Sequence, residues 1–136
     1  MTFDEFIAEL RRRTPQPVPA GGIRDIDGRE IRTGDIVLFY FSADTGFSPT
    51  LTDSATRCLD VVEERGGGFA AMDYDTTGGM WLWKVDGVCR VVGDIHTDPE
   101  PLRDLYRFAD PLASLLEGIG YLPPLKTTGA PPDGHR

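Results

Sequence analysis

Cysteine is scarce in this chain. Of 136 residues two are cysteines, Cys58 and Cys89. They lie far apart in apolar, strand-like runs and form no C-x-x-C spacing, which excludes a disulfide-dense secreted scaffold and a thiolate metal knuckle. They read as reduced, buried side chains of a cytoplasmic protein, with their pairing left open. Basic charge is also short: 14 Lys and Arg stand against 22 Asp and Glu, for a net charge of −8. That balance opposes a primary role on bare nucleic acid, where cations must neutralise phosphates, and favours solubility or a basic partner. No run approaches the roughly 20 apolar residues of a membrane span. Met1 is followed by an acidic amphipathic segment rather than by a basic and then apolar one, so no secretory leader is expected.

What is present is organised around Ile23 to Phe41, IRDIDGREIRTGDIVLFYF. Turns at Asp27-Gly28 and Thr33-Gly34 precede an apolar run from Ile36 to Phe41, a turn-then-strand signal in which glycine supplies the backbone angles. Ile36, Leu38 and Tyr40 alternate with Val37, Phe39 and Phe41. A strand apolar on both faces must be covered on both. The run therefore predicts a strand with a barrel interior on one side and a helix on the other.

Upstream, residues 1–14 predict an amphipathic helix. Thr2 and Glu5 fit a capping box, and Phe3, Phe6, Ile7 and Leu10 form one apolar stripe that packs on the sheet or on a partner. Residues 15–22, rich in Pro and Gly, read as a linker. Residues 42–56 read as a long polar loop anchored by Phe47 and Leu51. Thr52, Asp53 and Ser54 in it have no base nearby. Arg57–Glu64 and Phe69–Asp75 predict a hairpin closed by three glycines, 66 to 68, as a loose tip. In the next strand, Met80 to Val85, alternation places Trp81, Trp83 and Val85 on one face, either as core or as an aromatic groove. Asp86-Gly87 then predicts a hairpin turn, with Val88–Val92 pairing back. Asp98 fits an N-cap, and residues 99–121 predict two short helices stopped by Gly118 and Gly120. Residues 122–136, which hold His135, predict a disordered tail.

Two segments carry a family resemblance. RDIDGREIRTGDIVLF resembles the DKNGKEIYEGDIVKF pattern of YopX family phage proteins, and CRVVGDIHTDPEPL resembles that family's EVIGNIHENPELL ending. The two occur in the right order and bracket roughly Ile23 to Leu102, their ends being more specific than the stretch between. The resemblance implies an SH3-like barrel of about five bent strands and an accessory phage or prophage protein in the host cytoplasm, with no reaction attached. The chain departs from the pattern in its short N-terminal region, its longer 42–56 loop and its appended C-terminal segment. Asp94, His96 and Asp98 alternate and taken alone suggest a ligand or acid–base set. The matching family positions hold residue types that serve turns and caps.

The expected fold is mainly β. A small SH3-like β-barrel at 23–98 follows the N-terminal helix, and two short helices packed on it follow in turn. The first functional reading is a non-enzymatic binding module acting on a host or phage protein, with room for a homodimer. Its candidate binding residues are Trp81, Trp83, Phe47 and Tyr40; it has no cofactor, no metal and no catalytic residue. A second reading is a nucleic-acid-associated barrel, suggested by Arg24, Arg29 and Arg32 and opposed by the acidic total. A third is a metal-dependent enzyme using Asp73, Asp75 and His96.

Overall fold

The computed structural model describes residues 2–52, 54–73 and 78–103. The predicted pair of C-terminal helices from residue 104 onward, the tail 122–136, Asp53 and Asp75 lie outside the described residues.

Helix α1 (Phe3–Arg13) begins where the capping box places it. The Thr2 hydroxyl accepts from the Glu5 N–H at 3.1 Å, and the Glu5 carboxylate accepts from the Thr2 N–H at 2.7 Å. Asp4 and Glu5 sit at its positive end and Arg11, Arg12 and Arg13 at its negative end, matching the helix dipole. Its stripe of Phe3, Phe6, Ile7 and Leu10 is buried.

After it come β1 (Pro19–Arg24), β2 (Glu30–Arg32), β3 (Asp35–Ser42), β4 (Gly46–Ser48), β5 (Thr56–Arg65), β6 (Gly68–Asp73), β7 (Gly78–Trp81) and β8 (Arg90–Asp94). A 3₁₀ turn, Leu82–Val85, separates β7 from β8, and a second, Glu100–Leu102, follows β8. Strands β1 and β2 form a two-stranded antiparallel sheet. The others form a curled half-barrel in the order β4-β3-β5-β6-β7, with β8 also paired to β3. β3 is central: β5 runs along one edge, while β8 takes the first half and β4 the second half of the other.

The two-faced alternation of β3 is realised. Ile36 and Leu38 face a core that contains the α1 stripe, Leu59, Val61, Ala70, Met72, Ile95 and Leu102. Val37 and Phe39 face a second core, built from Ala20 and Ile31 of the β1–β2 hairpin, Leu82 and Val85 of the 3₁₀ turn, and Cys58 and Cys89. The sheet is thus covered by α1 on one side and by the β1–β2 hairpin with the 3₁₀ turn on the other. Both cysteines are buried, and burial pushes the Cys89 thiol up to about 12. Glu63, buried on the α1 side opposite Ala70, stands 3.4 Å from Arg13 of the helix and 3.8 Å from Arg65. Burial raises its carboxyl above the ordinary value despite both arginines.

Several expectations are corrected. The second half of the predicted linker 15–22 is strand β1, whose register with β2 shifts by a bulge between Pro19 and Arg24. The predicted loop 42–56 contains strand β4, paired with the end of β3. The glycine tip is tight: Gly66 and Gly67 make the turn at φ of 58° and 90°, and Gly68 already pairs with Arg65. The run Met80–Val85 is not one strand. The chain leaves the sheet at Trp81 and winds into a 3₁₀ turn, in which side chains three apart share a side. Leu82 and Val85 therefore point inward together and Trp83 points out. Val88–Val92 does not pair back on β7; β8 joins β3 instead. Asp98 does not cap a helix by its side chain; its backbone bridges to Asp94, and the 3₁₀ turn that follows has Pro99 at its cap.

Trp81 packs with α1 and is 9% exposed, whereas Trp83 is 45% exposed beside Lys84. Trp81→Ala should therefore cost about 3–5 kcal/mol of stability and Trp83→Ala within about 0.5 kcal/mol, measured by urea unfolding. Equal costs would contradict the placement of these two side chains.

Candidate functional site: a polar cleft where the two motif segments meet

The segments RDIDGREIRTGDIVLF and GDIHTDPEP are far apart in sequence and interlock in space. Asp25 is the first clasp. Its buried carboxylate accepts from the Asp27 and Arg29 N–H groups, each at 2.9 Å, and from the Val91 N–H at 3.1 Å. One side chain thus closes the β1–β2 turn and ties it to β8. An Asp two residues before the turn is an Asx signal that the sequence carries. The Ile26 N–H donates to the Cys89 carbonyl at 2.8 Å, and Asp27 pairs with Arg90 at 2.9 Å.

The second clasp is the Thr33-Gly34-Asp35 turn. Gly34 has φ +89°, a region L side chains avoid, and a Cβ there would also crowd the His96 ring at 3.2 Å. Its N–H donates to the Val62 carbonyl at 2.7 Å, and its carbonyl accepts from the Ile95 N–H at 2.9 Å. Asp35 accepts from the Arg32 N–H at 2.8 Å and lies opposite Asp94 across the β3–β8 pair. Gly93 is needed for a different reason. The chain returns over it so closely that a Cβ would meet the Asp98 carbonyl oxygen at 2.5 Å.

Asp94 caps this return. One oxygen accepts from the His96 and Thr97 N–H groups, both at 2.8 Å, and the other from the Thr97 hydroxyl at 2.6 Å. Burial opposes the charged form, yet these hydrogen bonds outweigh it and hold the carboxyl below its ordinary value. Asp35 goes the other way. Burial pushes its carboxyl up, Asp94 adds to the rise, and the Arg32 N–H with the Arg29 and Arg32 charges only partly offset it. From α1, Arg11 donates to the Ile95 carbonyl at 2.6 Å, and the Arg103 guanidinium sits 4.2 Å from the centre of the Phe3 ring.

Between the clasps lies a polar cleft of about 400 Å³. It is lined by Arg29, Glu30 and Arg32 of the hairpin, by Thr33 and Asp35 of the turn, and by Asp94, His96 and Thr97. Folding thus brings His96 together with Asp35 and Asp94. Of the expected enzyme set, the Asp73 backbone lies on β6 and Asp75 is outside the described residues. Among the described residues no three or more His, Cys, Asp or Glu side chains are grouped to hold a metal ion.

The expected aromatic binding residues are not brought onto one surface. Trp81 lies in the α1-side core, its buried Nε1 without a hydrogen-bond partner among the described residues, and Trp83 is exposed on the 3₁₀ turn. Tyr40 is paired with Ser48 and Phe47 with Phe41, so Tyr40 and Phe47 point to opposite faces. Phe47 belongs instead to a graded cluster. It meets buried Phe39 edge-on at 5.7 Å and Phe41, which is 40% exposed, at 5.0 Å.

Fold and site define the chain as a mainly β half-barrel with both faces covered and a polar cleft between the β1–β2 hairpin, the Thr33-Gly34-Asp35 turn and the segment that leaves β8. No family model, curated protein or solved structure matches the chain. Among the described residues no helix is long and apolar enough to cross a membrane.

Gly93→Ala drives a methyl group into backbone rather than into a movable side chain. It should cost about 1–3 kcal/mol in urea unfolding. A neutral result would contradict the close return of the chain over Gly93.

Proposed function

We propose that the chain is a non-enzymatic protein-binding module, an accessory protein of the YopX phage and prophage type, acting in the host cytoplasm on a host or phage protein. In this reading the half-barrel is the SH3-like barrel that the family resemblance implies. The observation that carries the reading is the apolar edge at β3–β4. Phe41 is 40% exposed against Phe47, and Leu51, in the segment after β4, is 68% exposed. Apolar side chains beside an edge strand suit a partner that adds backbone hydrogen bonds to the sheet and seats side chains on the aromatics. The absence of catalysis in this reading is supported by the carboxylates of the motif segments. Asp25 accepts from main-chain N–H groups with both oxygens, Asp94 from two main-chain N–H groups with one oxygen and from the Thr97 hydroxyl with the other, and Asp35 from one N–H, so they serve the local fold and not a reacting group.

A tagged protein and its Phe41→Ser, Leu51→Ser variant, whose exposed positions leave both cores intact, test the reading in host lysate with and without nuclease. The expected result is a defined host or phage protein retained by the parent under both conditions and lost by the variant. Equal retention by the variant would remove this edge as the binding surface. Retention lost on nuclease treatment would move the function to nucleic acid.

A further inference from the structure

We propose that the cleft between the two motif segments is a binding site for a small oxyanion, a molecule presenting a phosphate or carboxylate group to Arg29 and Arg32. The cleft holds acidic and basic side chains in near balance, but their commitments differ. The three carboxylates are engaged to different extents. Asp94 takes three hydrogen bonds on its two oxygens, and Asp35 takes the Arg32 N–H and is buried. Glu30 is held only loosely, 3.8 Å from Arg32.

The donors are open. The Arg29 guanidinium makes no hydrogen bond or ion pair among the described residues, although its backbone N–H is pinned by Asp25. Arg32 has only the long contact to Glu30, and its side chain is 56% exposed. The cleft therefore offers two guanidinium forks with few internal partners, and such forks match the two-oxygen edge of a phosphate or carboxylate. Both arginines are positioned by rigid backbone, since Asp25 clamps the turn before Arg29 and Asp35 accepts from the Arg32 N–H. A volume of about 400 Å³ suits a small metabolite-sized ligand.

His96 adds a second independent feature. Its Nε2 is buried against the Gly34 turn and has no hydrogen-bond partner among the described residues. A buried ring nitrogen without a partner is costly. A ligand in the cleft gives the ring a group to turn toward. The overall charge of −8 keeps extended polyanions away but does not close a recessed site to a small one.

The test is titration of the full chain with pyrophosphate and, separately, with succinate, followed by NMR at ionic strength matched with sodium chloride. The backbone amides of Thr33, His96 and Thr97 are read together with the ring signals of His96, one of only two histidines in the chain. Saturable shifts at these positions are expected with at least one probe, and which probe gives them separates a phosphate from a carboxylate ligand. Arg29→Ala with Arg32→Ala should weaken that binding by about tenfold or more, with the amide spectrum outside the cleft unchanged. No saturable shift with either probe, or an affinity that the double variant leaves unchanged, would overturn the proposal.

Discussion

Strand β3 is apolar on both faces, and the rest of the molecule follows from that constraint. A sheet strand of this kind cannot face water on either side. Ile36 and Leu38 demand one cover, and Val37 and Phe39 demand another. Helix α1 supplies the first through Phe3, Phe6, Ile7 and Leu10, and the β1–β2 hairpin with the 3₁₀ turn supplies the second through Ala20, Ile31, Leu82 and Val85. Neither cover is a large element, so each is fastened by polar contacts at its rim. Arg11 binds the Ile95 carbonyl and Arg13 approaches Glu63 on the helix side, while Asp25 and Asp27 fasten the hairpin to β8. The two motif segments hold these fasteners, one running from the end of β1 into β3 and the other leading out of β8.

This explains why acid-rich segments that resemble catalytic patterns serve the backbone. A short hairpin and a sharp return leave several N–H groups without strand partners, and each unpaired buried group is expensive. Asp25, Asp35 and Asp94 collect them. The cleft is the space left between the two clasps, and its character follows from which groups the clasps consume. Asp35 and Asp94 are taken up by the clasps, whereas the Arg29 and Arg32 guanidiniums are left with few internal partners. The cleft thus offers these two guanidiniums on a chain whose total charge is acidic.

Much of the local structure was legible in the sequence because its signals are local. The capping box of Thr2 and Glu5, the stripe of α1 and the two-faced alternation of β3 are each fixed within a few residues of chain. The failures share one cause. Met80–Val85 satisfies an alternating pattern through Trp81, Trp83 and Val85, and equally a three-residue period through Leu82 and Val85; only the packing of Leu82 into the second core selects the latter. Asp86-Gly87 does mark a turn, but a turn does not name the strand that follows it, and β8 reaches β3 rather than β7. The stretch 15–22 looked like a linker because proline and glycine weaken strands in isolation, yet pairing with β2 overrides that preference. The cleft was not legible at all. Arg29 and Arg32 are neighbours in sequence, but His96 is separated from them by most of the sheet, and no spacing rule joins it to them.

The central claim is that the two segments act as one clasp that holds both covers on β3. Amide hydrogen exchange followed by NMR tests it most directly. The key probes are Gly34, which donates to Val62, Ile95, which donates to Gly34, and Val91, which donates to Asp25. These should exchange as slowly as the amides of β3 itself, opening only with global unfolding. Fast exchange of Gly34, Ile95 and Val91 while β3 stays protected would mean that the covers open independently of the sheet, and would contradict the account.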